Sequence, residues 1–501
     1  MHVKTKLVAT TLVIALVSSF LIAFAASAAA RPAGVTLGAQ NHLDAPWTAW
    51  YKDTRAIYGA EFHATAMCPD GNVVAVGTTA VAAPLAGDLI VGKFDQDGTM
   101  VPGWPKLFNT AGYKFNEGAS VVVDASGNII ICGYTITSSA PNQWWFTVWK
   151  LNSAGSLLTG WPKFPLGNHA YGTGVALAPN GDIFCTGATV PPAGNALVLM
   201  RYHADGSPVA GVPKPYQVAG QPTFGYGILY DSDNNLVVAG FTEPAPGSHQ
   251  AVLYKFDVNG NVPAGWPNVW DSGVGTYDDY FAISQDPGNG QYCVVGRTGG
   301  TTEFGGVNTD GKLCVTRYSK SGVPVAGWPK VYSQPAWRDN PVDVWRGAVD
   351  GSGCIAAATT CGADPSVHTV RYDRAGNMTE SYPKVLSKAG YHNETRSCTV
   401  DSRGNVYTVG YSQSGADYST FVAKYAPGPF LNYFAEGTTR KNTTDGNFEQ
   451  WICLQNPGTI DANVTLTYML ADGTTKEQKV VVTKATRKTI SVNDAIGDNQ
   501  D

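Results

Sequence analysis

Short apolar runs, each closed by a turn rich in glycine and asparagine, set the pattern of this chain from about residue 45 to residue 425. Runs such as SVVVD, NIIICGY and NLVVAGF have the length and β-branched content of strands. Beyond the N-terminus no window keeps the apolar period of about 3.6 that a helix requires. The pattern predicts an all-β chain.

The runs fall into a repeating unit of two hairpins. The first hairpin turns at PDGN (Pro69–Asn72), ASGN (Ala125–Asn128), PNGD (Pro179–Asp182) and SDNN (Ser232–Asn235), and again near Gly288, Gly351 and Ser402. Glycine and asparagine tolerate the positive φ that such turns demand. The second hairpin opens with a strand that ends in a basic residue, usually followed by an aromatic one: VGKF, VWKL, LMRY, LYKF, VTRY, TVRY and VAKY. A fourth strand follows, marked by GWPK or a relative of it at Trp104, Trp161, Val212, Trp266, Trp328 and Tyr382. Four antiparallel strands over roughly 50 to 60 residues fit one blade of a propeller.

Counting strands implies closure. The first three strands of the unit recur seven times, but the fourth follows only six of them. APWTAWYKD, around Trp47, precedes the first unit with the spacing of the missing strand. The expectation is a seven-bladed β-propeller over residues 43–428, with its last blade completed by the N-terminal strand.

The basic-aromatic strand and the GNxxxxG hairpin resemble the bacterial β-propeller repeats called SBBP and delta-60 repeats. That resemblance implies the fold and no particular reaction. From residue 431 the unit is lost, and alternations such as ANVTLTYML and KEQKVVVT predict a small β-sandwich over 431–501. This segment resembles an accessory module of bacterial exported proteins. Such modules usually run on past the VND segment, so the resemblance implies a truncated domain here.

The first 30 residues read as a secretory leader: Lys4 and Lys6, an apolar stretch, then small residues around Ala26, Ser27 and Ala28. Leu7 to Ala30 is also long enough for an uncleaved anchor, but Ala, Ser and Thr dilute it and favour cleavage. Either alternative predicts a secreted or cell-surface protein, with no membrane span left after cleavage. A net charge of −5 offers no basic footprint for nucleic acid. Nine cysteines leave at least one thiol free or intermolecular. Cys132, Cys185, Cys293 and Cys354 each follow a turn and read as small buried residues, while Cys354 and Cys361 lie within one hairpin's reach.

No phosphate loop, dinucleotide fingerprint, nucleophile elbow or HExxH motif occurs in a fitting context, so no cofactor is expected. No metal is expected either, since no C-x-x-C pair exists. DQDGT at Asp95 and DSDNN at Asp231 sit where hairpin turns are required and lack the calcium loop's downstream glutamate. Lys93, Lys150, Arg201, Lys255, Arg317, Arg371 and Lys424 hold one equivalent position in every unit. Such strict repetition favours packing between blades over ligand binding.

Another position varies. Ten residues ahead of the turn glycine, or of its equivalent Asn234, stand Glu61, Glu117, Tyr171, Phe224, Tyr280, Asp343 and Glu394, at the start of the innermost strand. They divide one mouth of the channel into a carboxylate arc and an aromatic arc, a set suited to ligand binding. The competing expectation is a plug, with Arg346 and Arg396 neutralising the acids. Trp144, Trp145, Glu303 and Phe304 are expected on the same face. Three functions stay open: a binding or adhesion module for a glycan, polymer or protein; a polysaccharide lyase or hydrolase using the carboxylates; or a structural component of an extracellular layer.

Overall fold

A computed structural model describes residues 46–426 apart from 53–58, 83–85, 139–141, 168, 191–194, 275–276, 301–310, 334–346, 361–365, 380–381 and 416; beyond these it describes 441–442, 446–447, 451–456, 462–470, 474–483 and 486–497. The chain divides into two compact units, Met1–Gly428 and Pro429–Asp501. The first is all β among its described residues. No described helix is long and apolar enough to cross a membrane.

Within the first unit the described strands make seven four-stranded antiparallel meanders, numbered here in chain order. They occupy residues 60–108, 113–166, 170–216, 223–270, 277–332, 347–386 and 392–425. The last is completed by Trp47–Tyr51, which pairs antiparallel with Asp417–Tyr425 so that Trp47 faces Lys424. Along the series each first strand packs against the first strand of the next meander, and that of meander seven packs against that of meander one.

The hairpin words explain the local structure. Gly71 sits at φ +81 and Gly127 at φ +80, and the aspartate ahead of the turn often supplies its cap. In meander two, Asp124 Oδ1 accepts the backbone N–H of Ser126 at 2.9 Å and of Asn128 at 2.8 Å. Such a side chain replaces the backbone partners that a turn leaves unpaired.

The repeated tryptophan locks one meander to the next. A Cβ added at Gly155 would lie 2.7 Å from Trp104, at Gly206 2.8 Å from Trp161, and at Gly322 2.9 Å from Trp266. Each tryptophan ends one meander, and each of these glycines lies in the second turn of the following one. Trp47, which completes meander seven, holds the same relation to Gly98 of meander one, at 2.7 Å. Its indole also donates to Gln96 O at 2.9 Å. The signature thus marks where a ring seats on bare backbone, an approach that only glycine permits.

The repeated basic residues have the same structural use. Lys93 donates to Asp70 at 2.7 Å and Arg201 to Asp182 at 2.7 Å, each within its own meander. Lys150 reaches Ala204 O at 2.7 Å, Lys255 reaches Lys320 O at 3.1 Å, and Lys424 reaches Gln96 O at 3.4 Å, each in the next meander. Their stems are buried and their heads are spent on turns.

The second unit, described by itself, has three two-stranded antiparallel sheets: Lys441–Asn442 with Gly446–Asn447, Trp451–Asn456 with Thr486–Ser491, and Ala462–Met469 with Thr475–Val482. Leu466, Tyr468, Val480, Val482, Ile490 and Val492 form its buried cluster.

Candidate functional site

Strand register fixes which side chains share the varied position at the start of each first strand. Glu61 lies opposite Thr78, Glu117 opposite Tyr134, Tyr171 opposite Ala188, Phe224 opposite Phe241, and Glu394 opposite Tyr411. In each case the next residue of the first strand faces a glycine: Gly77, Gly133, Gly187, Gly240 and Gly410.

Meander five departs from the sequence expectation. Tyr280 faces Gly296, and Asp279 faces Arg297, so Asp279 holds the varied position and Tyr280 the one after it. The cause is the turn. Gly290 N–H bonds to Asp286 O, four residues back, whereas Gly71 N–H bonds to Cys68 O, three back. One extra residue displaces any count made from the glycine. Tyr280 instead stacks on Trp270, its ring 5.9 Å away, and its hydroxyl meets that of Tyr318 at 2.6 Å. Asp343, Arg346, Glu303, Phe304 and Cys361 lie outside the described residues.

A β-bulge two residues further on brings in a second set that the sequence pattern concealed. The register slips at His63, Ala119, Thr173, Tyr226, Phe281 and Arg396, each the extra residue of its bulge. A bulge re-aims a side chain. The motif that could have revealed them is simply the acid-x-His of Glu61 and the acid-x-Arg of Glu394.

His63 bridges two meanders. Its Nε2 lies 3.3 Å from Glu61 Oε2 and its Nδ1 lies 3.3 Å from Glu117 Oε1. Burial alone would pull the imidazole down, but Glu117 and then Glu61 outweigh it and raise its pKa to about 9. Glu117 also accepts the Tyr134 hydroxyl at 2.6 Å. Tyr134 in turn lies flat against Trp144, with ring centres 5.1 Å apart and planes 8° from parallel. Trp144 is half-buried, and its ring centre lies 6.4 Å from that of Tyr171 with the two planes 66° apart.

The other acids are held more tightly. Glu394 is ion-paired with Arg396, whose Nη2 lies 2.5 Å away, and accepts from the Tyr411 hydroxyl, with His392 at 3.4 Å. Burial opposes its ionisation, yet Arg396, helped by His392 and Tyr411, holds the carboxyl well below the usual range. Asp279 is fully buried between Arg297 and His249, the latter at 2.8 Å. Burial works against its charge too, but Arg297 and then His249 outweigh it and lower its pKa. Phe224 and Tyr280 are 1% exposed, whereas Glu61, Glu117, Tyr171 and Glu394 keep 6–7%. Among the described members of the set, all of them buried, the least covered therefore lie in meanders one to three and seven. Among the described residues no group of three His, Cys, Asp or Glu side chains is arranged to hold a metal ion.

The bridge predicts a pH dependence. His63 titrates near 9 in the folded chain against about 6.5 unfolded. Its stabilisation is therefore fully present below about pH 6.5 and is lost as the pH rises through about 9. The shift corresponds to about 3 kcal/mol. Urea unfolding of the native chain and of His63→Gln should differ by about that much at pH 6 and far less at pH 10; an equal difference at both would contradict the bridge.

No family model matches the chain, and no curated protein sequence matches it. Solved structures do resemble it. The periplasmic gluconolactonase of Pseudomonas aeruginosa is 12% identical with a TM-score of 0.45, over 71% of this chain and 96% of that one. The α-L-arabinofuranosidase of Fusarium graminearum, solved with an iminosugar inhibitor, is 10% identical with a TM-score of 0.41, over 73% and 93%. A Dyadobacter fermentans protein of unknown function is 10% identical with a TM-score of 0.42, over 73% and 94%. The gluconolactonase is a β-propeller-like protein, and these likenesses concern the fold alone.

Proposed function

We propose that the first unit is a seven-bladed β-propeller that is exported and binds a neutral or cationic glycan at the axial mouth of meanders one to three. The cyclic packing of the first strands supports the propeller, as do the bonds from Trp47 and Lys424 of meander seven to Gln96 of meander one. The second unit is then a small accessory β-sandwich, for which the apolar cluster shared by its two longer sheets speaks.

The observation that carries the binding site is the relay from Trp144 through Tyr134 to Glu117 and His63. One face of the indole covers Tyr134, and in this reading the rest of the ring takes the C–H face of a sugar. The carboxylate edges of Glu61 and Glu117 then accept hydroxyl or ammonium hydrogen bonds. Two carboxylates around one imidazolium leave a net negative charge, which disfavours an acidic polymer. Lyase or hydrolase chemistry fits less well. An imidazole charged at neutral pH is not a ready base, and a carboxyl held low, as Glu394 is, is not a ready acid.

Passing the purified chain over immobilised chitosan, cellulose and an acidic pectin tests this directly. Retention is expected on at least one of the first two and not on the third. Trp144→Ala should weaken it roughly tenfold, as the loss of one stacking face would. Lys320→Ala, at the turn end of meander five, should leave it unchanged. Release of soluble fragments would instead favour an enzyme, and no retention on any polymer would favour a structural role.

A further inference from the structure

Cys132 and Cys185 are both fully buried and share one apolar cluster. Cys132 lies in the second strand of meander two, Ile129–Thr137, and Cys185 in the second strand of meander three, Ile183–Thr189. Both thiols are free in the structure, and they lie near enough for Cys132 to add to the ionisation cost that burial imposes on Cys185. The approach depends on Gly172 in the first strand of meander three, where an added Cβ would fall 2.5 Å from Cys132 Sγ. No other apolar cluster among the described residues holds two cysteines.

We propose that Cys132 and Cys185 form a disulfide that staples meander two to meander three when the chain folds in an oxidising compartment. The proposal leans on export for its setting, though not for its geometry. With a small disulfide such as oxidised glutathione as oxidant, one cysteine thiolate attacks a glutathione sulfur and expels a glutathione thiolate. The second cysteine thiolate then attacks the mixed disulfide at the protein sulfur and expels the other. Two electrons pass from the cysteine pair to glutathione, and the two thiol protons end on two reduced glutathiones. Burial pushes the Cys185 thiol well up, so the folded chain supplies little of the thiolate that reacts. The bond is therefore made while the strands are still open, and once made it is shielded from reductant.

The test unfolds the purified, reduced full chain in urea, returns it to buffer with oxidised and reduced glutathione, and alkylates the remaining thiols in denaturant. The nine thiols should fall by two, and mass mapping should show a peptide joining Cys132 to Cys185. The urea midpoint of the product should lie above that of the dithiothreitol-treated chain. Cys185→Ser should abolish both changes. Nine retained thiols, or a linked peptide made by other cysteines, would overturn the assignment. Alkylating the chain as purified from the culture medium or cell surface is a separate arm. Free thiols there, with the pair forming in glutathione, would count against export into an oxidising compartment and leave the geometry standing.

Discussion

Asp286→Ala is expected to lower the unfolding free energy by about 3–5 kcal/mol, the usual cost of leaving a buried charge without its partner. Asp286 is fully buried in the long turn of meander five and accepts from Arg317 Nη1 at 2.8 Å. It also accepts from Arg374 of meander six, Nη2 at 2.7 Å and Nε at 2.8 Å. Arg317 is fully buried as well and donates to Gly353 O of meander six. Removing the carboxylate therefore strands a guanidinium and cuts a link between two meanders. Burial opposes the charge on Asp286, but the two arginines outweigh it and hold its carboxyl well below the usual range. Its stabilisation is present above the unfolded value of about 3.9 and fades as the pH falls below that. Urea titrations at pH 7 and pH 3 should show the mutational penalty shrinking with acid; a penalty below 1 kcal/mol at pH 7, or one that grows with acid, would refute the account.

A chain lacking residues 43–55 should lose cooperative unfolding altogether. The strand Trp47–Tyr51 supplies the outer edge of meander seven, a buried tryptophan against Gly98, and the indole bond to Gln96. Without it, Asp417–Tyr425 becomes an open edge whose unpaired backbone invites other strands. Broad, noncoincident melts by circular dichroism and tryptophan fluorescence are expected, with aggregation in sizing runs. A sharp melt within a few degrees of the full chain would show that the closing strand is dispensable.

Much of the architecture was legible because its turns use few words. A glycine at positive φ three residues beyond an aspartate recurs in many of the hairpins, and a tryptophan-proline edge supplies most of the rings that sit on the next meander. The N-terminal strand was found by the same spacing. The site was legible only in part. Glu61, Glu117, Tyr171, Phe224 and Glu394 do share one register, but Asp279 was hidden behind Tyr280 by a single extra residue in the turn before Gly290. His63 was hidden for a different reason: a bulge is a backbone event that leaves no mark in hydrophobic alternation, so the residue that bridges two carboxylates looks like any strand residue. Likewise the repeated Lys and Arg residues have nearly identical surroundings in sequence. Only the partners, a turn carboxylate on one side and a neighbour's carbonyl on the other, separate a structural cation from a recognising one.

The tie between Lys52 and Asp417 spans 365 residues of chain. At translation rates of roughly 5–20 residues per second, the first strand made waits on the order of 20–70 s for its partner to exist. During that interval it is a loose end, and it fits the last meander of any other copy as well as its own. At high concentration one molecule's leading strand can close its neighbour's final meander, whose own leading strand passes to the next. An exchange of this kind closes as a dimer when two copies swap strands reciprocally, and runs on into chains when each copy passes its strand to a third. The same seam that completes the last meander is thus the place where a strand-exchanged assembly of this protein would begin.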